Sequence, residues 1–274
     1  NRRLPVTRGT TKPDNRPIRV EKPYVGTNSL SFMKQQTLSI IIPAYNEAST
    51  IFRLLEKVHH TRLVHDIRKE IIVVNDCSKD NTEEEILRFT ETYPDCTLVY
   101  HKQPHNQGKG AAIRAGIQKI TGNWTIIQDA DLEYNPEDYN PLLEWMIEND
   151  GKVIYGSRFL NKTNKHSYQS FYLGGRLLSI VTNLLYGQHL TDEPTCYKMF
   201  DSGLLRSIPL KSTGFEFCPE VTAIVCRRGY KIPELPIRYY PRSIEEGKKI
   251  NWKDGLIAIW VLVKIRFANK HSLE

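Results

Sequence analysis

Short apolar runs alternate with helical patterns from residue 37 onward, and this alternation constrains the fold more than any other feature of the chain. Short runs rich in β-branched residues are typical of buried strands, and apolar residues three or four positions apart are typical of helices. Strand–helix–strand units at this spacing predict an α/β fold with a mostly parallel sheet flanked by helices. The predicted strands are 38–42, 70–74, 97–100, 124–128 and 153–155, and the predicted helices are 47–59, 82–92 and 110–120.

Polar and charged residues follow the predicted strands, where ligands bind in parallel α/β sheets. The strand ending at 74 is followed by Asn75 and Asp76, and the strand ending at 128 is followed by the motif DADLE. Because the carboxyl ends of parallel strands meet at one edge, we expect these side chains to converge. The other candidates at this edge are Pro43, Tyr45, Glu47, Lys109 and Arg158.

The motif DADLE places Asp129, Asp131 and Glu133 directly after a predicted strand. Two aspartates separated by one small residue present hard oxygen ligands, which suit Mg²⁺ or Mn²⁺ bound together with phosphates. The alternative interpretation is a solvated acidic turn, which the following Asn135-Pro136 would favour.

The stretch NQGKGAAIRAG indicates a close approach of backbone to ligand at the start of a helix. Gly108 and Gly110 leave room for that approach, and the free N–H groups of a helix start favour phosphate. The spacing is not that of a Walker loop. We predict that Lys109 is a charge partner of a nucleotide or its phosphates; the alternative is a solvated lysine.

Four stretches occur in order at the ends of successive predicted strands: LSIIIPAYNEASTI, IIVVNDCSKDNT, NQGKGAAIRAGI and DADLEYNP. Together they resemble the nucleotide-sugar-binding half of family 2 glycosyltransferases, over residues 37–160. The resemblance extends to about 253 through GSRF, DEPTCYKMF, GFEFCPEV and YPRSIEEGKKINW, where the chain is similar to dolichyl-phosphate mannose or glucose synthases. It implies a single domain with the Rossmann-like GT-A fold.

This resemblance implies that Asp76 faces the base and ribose of the donor nucleotide. It places Pro43, Tyr45 and Glu47 in the same pocket. A short carboxylate can accept hydrogen bonds from a base N–H or a ribose hydroxyl. Two alternatives remain open: Asp76 only braces its loop, and Glu47 is only an acid in the first turn of a helix.

The resemblance also assigns roles within DADLE. Asp131 would hold a metal that bridges the diphosphate, and Asp129 would face the ribose or the donor sugar at the edge of the metal site. The position of Glu133 often carries Gln in this family. Glutamate is still an oxygen ligand but carries a charge, which should strengthen metal binding.

Basic residues in the second half of the chain are candidates for the acceptor side. An acceptor phosphate is already ionised near neutral pH, so cations that position it matter more than a general base. Arg158 in GSRF and Lys198 in TCYKMF are such cations. Arg242 and Lys248 lie in a stretch that resembles the loop closing over the diphosphate and acceptor. The alternative for each is a solvated surface charge.

Asp192 in TDEPTCYKMF corresponds by resemblance to a candidate base or positioning group near the acceptor. The family more often has Ser-Gly-Phe where this chain has Thr195-Cys196-Tyr197, so the acceptor side departs from the usual pattern. Glu216 and Glu220 in GFEFCPEV are predicted to be positioning residues.

Two apolar stretches bear on a membrane partner. Residues 171–187 and 254–267 place apolar side chains at helical spacing, and the second contains Trp260 between basic flanks. This pattern is typical of an amphipathic helix lying in a membrane interface. The alternative is that both stretches are core or contacts of a homo-oligomer.

Charge and cysteine content narrow the class of protein. The net charge is +7, but residues 1–36 hold eight Lys and Arg against two acids, so the remaining chain is nearly neutral. A basic arm on a neutral body argues against a nucleic-acid-binding core. Five cysteines without CxxC spacing indicate reduced, intracellular thiols. We expect a flexible arm (1–36), a glycosyltransferase domain (37–253), and a C-terminal helix and tail (254–274).

The combined prediction is an inverting, metal-dependent transfer of a hexose from a UDP- or GDP-sugar to a polyprenyl phosphate. Catalytic roles are expected for Asp131, Asp192, Arg158 and Lys198, at the cytoplasmic face of a membrane. One alternative is a saccharide or protein acceptor, with Asp192 as general base. A second is a non-catalytic nucleotide-sugar-binding or scaffold protein.

Overall fold

The computed structural model describes residues 35–165, 169–242 and 252–269. The predicted N-terminal arm lies outside these residues, apart from its last two positions. Lys248, predicted to bind the diphosphate, also lies outside them.

Within the described residues, the strands form one mixed sheet. They are β1 (Thr37–Ala44), β2 (Arg68–Asn75), β3 (Leu98–Lys102), β4 (Trp124–Ile127), β5 (Val153–Ser157), β6 (Lys198–Asp201) and β7 (Glu234–Pro236). Their order across the sheet is β3-β2-β1-β4-β6-β5-β7. Neighbouring strands are parallel except at β6, which runs antiparallel to both β4 and β5. This topology confirms the predicted mostly parallel α/β sheet.

Helices flank the sheet. They are α1 (Ile51–His60), α2 (Thr82–Thr92), α3 (Lys109–Ile117), α4 (Tyr139–Glu148), α5 (Gln169–Tyr186), α6 (Ser202–Ser207), α7 (Phe217–Arg227) and α8 (Trp252–Phe267). Helix α1 buries the apolar face that its sequence presents at helical spacing, from Ile51 to Val58. Among the described helices, none combines the length and the hydropathy needed to cross a bilayer.

The register of the parallel strands determines where the site forms. Strand β1 is buried throughout from Leu38 to Ile42, and it pairs with β2 on one side and β4 on the other. Ala44 is paired with Asn75, so the segments that follow β1 and β2 leave the sheet side by side. The segment after β4 leaves at the same edge. Three of the predicted motifs are thereby brought together.

The sequence pattern did not predict strand β6, which begins with Lys198, a residue predicted to bind the acceptor. The stretch KMFD is short and begins with a charged residue, so it lacks the apolar run expected of a buried strand. The structure nevertheless inserts it between β4 and β5. Lys198 is fully buried there, its ammonium donating to the carbonyl of Glu193 and lying 3.7 Å from the ring centroid of Tyr155. This burial favours a structural role for Lys198 over the predicted contact with an acceptor phosphate.

Lys198 is expected to support the fold. The Lys198→Ala substitution should lower the free energy of unfolding by about 3–5 kcal/mol, because it leaves the Glu193 carboxylate, 3.8 Å from the ammonium, unpaired in the core. Urea denaturation measures this change.

Lys152→Ala is the matched control, because Lys152 forms its ion pairs at the surface and its loss should cost less than about 1 kcal/mol. Equal stability of Lys198→Ala and the unmodified chain would show that the buried pair is not structural.

Candidate functional site

A cavity of about 310 Å³ opens at the carboxyl ends of β1, β2 and β4. Its lining includes every described residue predicted for the donor and the metal, although these come from five separate stretches of the chain. They are Pro43, Tyr45, Glu47, Asp76, Lys109, Asp129, Asp131, Glu133 and Arg242.

Asp76 is buried at the base of this cavity and braces the loop before α3. Its carboxylate accepts hydrogen bonds from the backbone N–H groups of Gln107 and Gly108, both at 2.8 Å, and from the side-chain amide of Gln103 at 2.9 Å. The geometry therefore favours the bracing role that the sequence left open. Asp76 shapes the cavity by holding the backbone of its wall.

The start of α3 packs against the loop 211–216 with no space for side chains. Gly108 has a positive φ of 94°, and a Cβ there would lie 2.5 Å from the carbonyl oxygen of Thr213. A Cβ at Gly110 would lie 2.8 Å from the carbonyl oxygen of Gly214. The two glycines thus permit a contact between two protein segments. The sequence pattern had attributed that close approach to a ligand.

The loop 211–216 supplies Gly214 and Phe215 to the cavity wall, and sequence reasoning missed both. The Glu216 carboxylate accepts hydrogen bonds from the backbone N–H groups of Thr213 and Gly214. The Glu220 carboxylate accepts from those of Lys211 and Ser212. These two acids hold the loop in place, which agrees with the positioning role predicted for both from GFEFCPEV. The stretch itself was the signal that could have identified Phe215.

Lys109 and Asp129 form an ion pair across the cavity, with 2.5 Å between the ammonium and the carboxylate. Burial alone would lower the pKa of Lys109, but the Asp129 charge raises it above its ordinary value. Lys109 is therefore a permanent cation at the start of α3. The Asp129 carboxylate is engaged by this lysine instead of joining Asp131 in a shared ligand set.

Arg242 lies among three other carboxylates of the cavity. Its guanidinium is 2.8 Å from Asp131 and 3.2 Å from Glu47. Its backbone N–H donates to Glu133 at 2.8 Å, and the Tyr239 hydroxyl donates to the other oxygen of Glu133 at 3.0 Å. One cation thus neutralises a cluster that would otherwise repel itself.

The charges of this cluster change the pKa of Asp131. Burial, together with the carboxylates of Asp129 and Glu133, raises the pKa of Asp131 to about 7, although Arg242 acts in the opposite direction. A cation at Asp131 would relieve the same repulsion.

The predicted three-carboxylate metal site is not preformed. Within the described ranges, no group of three His, Cys, Asp or Glu side chains is arranged to hold an ion. Asp129 is bound by Lys109, and both oxygens of Glu133 are occupied. Asp131 fits a different kind of site, because Mg²⁺ commonly binds one or two carboxylates together with substrate phosphates and water.

Arg158 and Asp192 are paired beyond this cavity. The guanidinium binds both oxygens of the carboxylate, at 2.7 and 2.8 Å, and the backbone N–H of Arg158 adds a third hydrogen bond. Asp192 is fully buried. Asp192 therefore orients Arg158. Neither of its oxygens is accessible, which disfavours the alternative prediction that it is a general base.

The fold and this site together define an α/β protein with a charged cavity at the carboxyl ends of its parallel strands, and comparison with known proteins identifies its family. The family model described as glycosyl transferase family 2 matches residues 39–208, so the chain belongs to this family. The resemblance based on the strand-end motifs is thereby confirmed.

Curated relatives and solved structures agree with this assignment. Two dolichyl-phosphate beta-glucosyltransferases of Trichomonas vaginalis are 31% and 30% identical over 74% and 78% of this chain. The matches cover 65% and 68% of those proteins. A UDP-N-acetylglucosamine–dolichyl-phosphate N-acetylglucosaminyltransferase of Methanococcus voltae is 28% identical over 80% of this chain and 92% of its own length.

Glucosyl-3-phosphoglycerate synthase of Mycobacterium tuberculosis, solved with Mn²⁺, UDP-glucose and phosphoglyceric acid, superimposes with a TM-score of 0.61. The alignment covers 86% of this chain and 81% of that protein at 17% identity. At this identity the likeness concerns the fold, and it confirms the predicted GT-A architecture.

The bracing role of Asp76 is testable by substitution. Asp76→Ala removes a buried carboxylate that accepts from three donors, so we expect the free energy of unfolding to fall by about 2 kcal/mol. Urea denaturation measures this change in stability. Titration calorimetry with UDP measures nucleotide binding separately.

Glu216→Ala is the comparison for the loss of stability, because the Glu216 carboxylate also accepts hydrogen bonds from two backbone N–H groups beside the cavity. Full stability of Asp76→Ala combined with loss of UDP binding would instead support direct contact between Asp76 and the nucleotide.

Proposed function

We propose that this chain transfers a hexose from a UDP-sugar to a polyprenyl phosphate with inversion at the anomeric carbon. The observation that carries the proposal is the cavity in which Lys109, Asp131 and Arg242 converge from separate strand ends. Three curated relatives are named for transfer to dolichyl phosphate, and the name of one of them specifies a UDP-sugar donor.

The donor diphosphate would bind between the start of α3 and Asp131. Lys109 contributes a permanent positive charge there. Asp131 would hold Mg²⁺ or Mn²⁺ together with oxygens of the diphosphate. When bound, the metal supplies electrostatic stabilisation of the charge that develops on the leaving diphosphate.

The contacts already made by the described carboxylates of the cavity favour a phosphate acceptor. Among the described residues that line the cavity, each carboxylate already accepts a hydrogen bond or ion pair from the protein, and Asp192 is buried against Arg158. A sugar hydroxyl would have to lose a proton to react, whereas a phosphate oxygen is already ionised. The site therefore suits a phosphate better than a saccharide.

Positive charge beyond the cavity supports the same acceptor. The guanidinium groups of Arg158 and Arg176 both lie 5.8 Å from the ring centroid of Phe159. Asp192 fixes the orientation of Arg158. Two arginines around one aromatic ring are suited to position a phosphate monoester beside the donor sugar.

The proposed transfer needs no group to accept a proton. An oxygen of the acceptor phosphate forms a bond to the anomeric carbon as the bond from that carbon to the diphosphate breaks. The electron pair of the broken bond leaves with UDP. Attack opposite the leaving group inverts the anomeric configuration.

Incubation with radiolabelled UDP-glucose and polyprenyl phosphate tests this proposal. We expect label in the organic phase, activity that requires Mg²⁺ or Mn²⁺, and a β-linked product from the α-linked donor. Asp131→Ala should lower the rate by at least about 100-fold, because the residue contacts the diphosphate through the metal.

Glu137→Ala is the control, since Glu137 is an exposed acid in the same loop. Label transferred only to free saccharides would establish the saccharide acceptor instead. UDP binding without transfer to any acceptor would point to a non-catalytic binding protein. The same assay is run with UDP-N-acetylglucosamine and GDP-mannose as alternative donors.

We further propose that the chain associates with the cytoplasmic face of a membrane through α5 and α8. Four apolar side chains of α5, spaced as one helical face, are between 50 and 80% exposed: Leu173, Leu177, Ile180 and Leu184. The adjoining helix α8 exposes Trp260 and Phe267 beside Lys264 and Arg266. Apolar residues with basic neighbours favour the surface of an anionic bilayer.

Co-sedimentation with phosphatidylserine-containing vesicles tests this association. We expect Leu177→Glu to reduce the bound fraction several-fold without changing the melting temperature, because Leu177 is exposed. Leu87→Glu is the control, as Leu87 is an equally exposed leucine on α2. Vesicle binding that survives Leu177→Glu, with a dimer that dissociates, would assign this face to a homo-oligomer.

A further inference from the structure

The position of Arg242 shows how the repulsion between the carboxylates of the cavity is balanced. Three carboxylates contact this one residue: Asp131 and Glu47 through its guanidinium, and Glu133 through its backbone N–H. The guanidinium always carries its charge. It stands where a cation at Asp131 would have to bind.

The available oxygens of Asp131 make this overlap specific. One oxygen accepts the backbone N–H of Glu133 at 3.0 Å, and the other is the one bound by Arg242 at 2.8 Å. The oxygen that the guanidinium holds carries no backbone hydrogen bond, so it is the one that a divalent cation at Asp131 would bind more readily. The two cations compete for one ligand atom.

The backbone around Arg242 is anchored independently of this side chain. Tyr239 pairs with Tyr134 in an antiparallel bridge, and the backbone N–H groups of Tyr240 and Arg242 donate to Glu133. The guanidinium can therefore leave Asp131 by side-chain rotation alone. Once released, it lies close enough to the cavity to pair with a diphosphate, which matches its planar donors.

We propose that Arg242 acts as an internal counterion that competes with the divalent metal and makes metal binding depend on the nucleotide diphosphate. This inference rests on the proposed function, since it concerns the same donor site. In the nucleotide-free protein the guanidinium weakens metal binding at Asp131. The diphosphate draws the guanidinium away and supplies further metal ligands, so nucleotide and metal bind cooperatively, each increasing the affinity of the other.

Mn²⁺ binding to the nucleotide-free protein, measured by the electron paramagnetic resonance signal of free Mn²⁺, tests the competition directly. Arg242→Gln should bind Mn²⁺ about tenfold more tightly than the unmodified chain, an effect of the size typical for coupled sites. UDP should enhance Mn²⁺ affinity less in Arg242→Gln than in the unmodified chain. UDP measured without metal should bind the variant more weakly, because the guanidinium is lost.

Arg238→Gln is the matched control. Arg238 lies four residues earlier and carries the same charge, but it pairs with Asp138 outside the cavity. An equal gain in Mn²⁺ affinity in both variants would reduce the effect to net charge and overturn the proposal. Unchanged or weaker Mn²⁺ binding by Arg242→Gln would also overturn it.

A second variant guards against a folding defect. Arg242→Lys retains a cation but loses the planar pair of donors, so its Mn²⁺ affinity should lie between those of the unmodified chain and Arg242→Gln. If Arg242→Gln is unstable alone, Mn²⁺ should raise its melting temperature more than that of the unmodified chain. Failure of the unmodified chain to bind either UDP or Mn²⁺ would instead contradict the proposed function itself.

Discussion

The site depends on the electrostatic balance that parallel strand pairing imposes at one sheet edge. Pairing of β1 with β2 and β4 sends the following segments out side by side, which concentrates five carboxylates around one small cavity. Such a cluster is costly to bury unless cations accompany it. Lys109 and Arg242 are those cations, and each belongs to a segment that crosses the cavity from elsewhere in the chain.

The acids of this region divide into two groups according to what they bind. Asp76, Glu216 and Glu220 each accept two backbone N–H groups and hold the loops that form the cavity wall. Asp129 and Asp131 instead face cationic side chains, although Asp131 also accepts the backbone N–H of Glu133. In the proposed function, a bound diphosphate would compete with these carboxylates for the two cations.

The residues proposed for the acceptor also include a carboxylate paired with a cation. Asp192 is buried and bound to Arg158, so its charge serves to orient a cation. The exposed apolar faces of α5 and α8 would keep a lipid tail near that cation, and the donor site lies at the adjoining sheet edge. A phosphate that needs no deprotonation suits a site whose carboxylates are already engaged. The departure from the family pattern at Thr195-Cys196-Tyr197 lies in the same segment.

The sequence alone determined the α/β class, the family, five strands and the stretches that form α1, α2, α3, α5 and α8, because apolar periodicity and strand-end motifs are local signals. It also predicted residues that the structure gathers around one cavity. It could not place Lys198, since a short strand beginning with a charge is recognised only by its neighbours β4 and β5. It could not show that Gly108 accommodates Thr213, or that Lys109 engages Asp129. These contacts join residues distant in sequence, so only tertiary packing decided which carboxylates brace loops and which remain for a ligand.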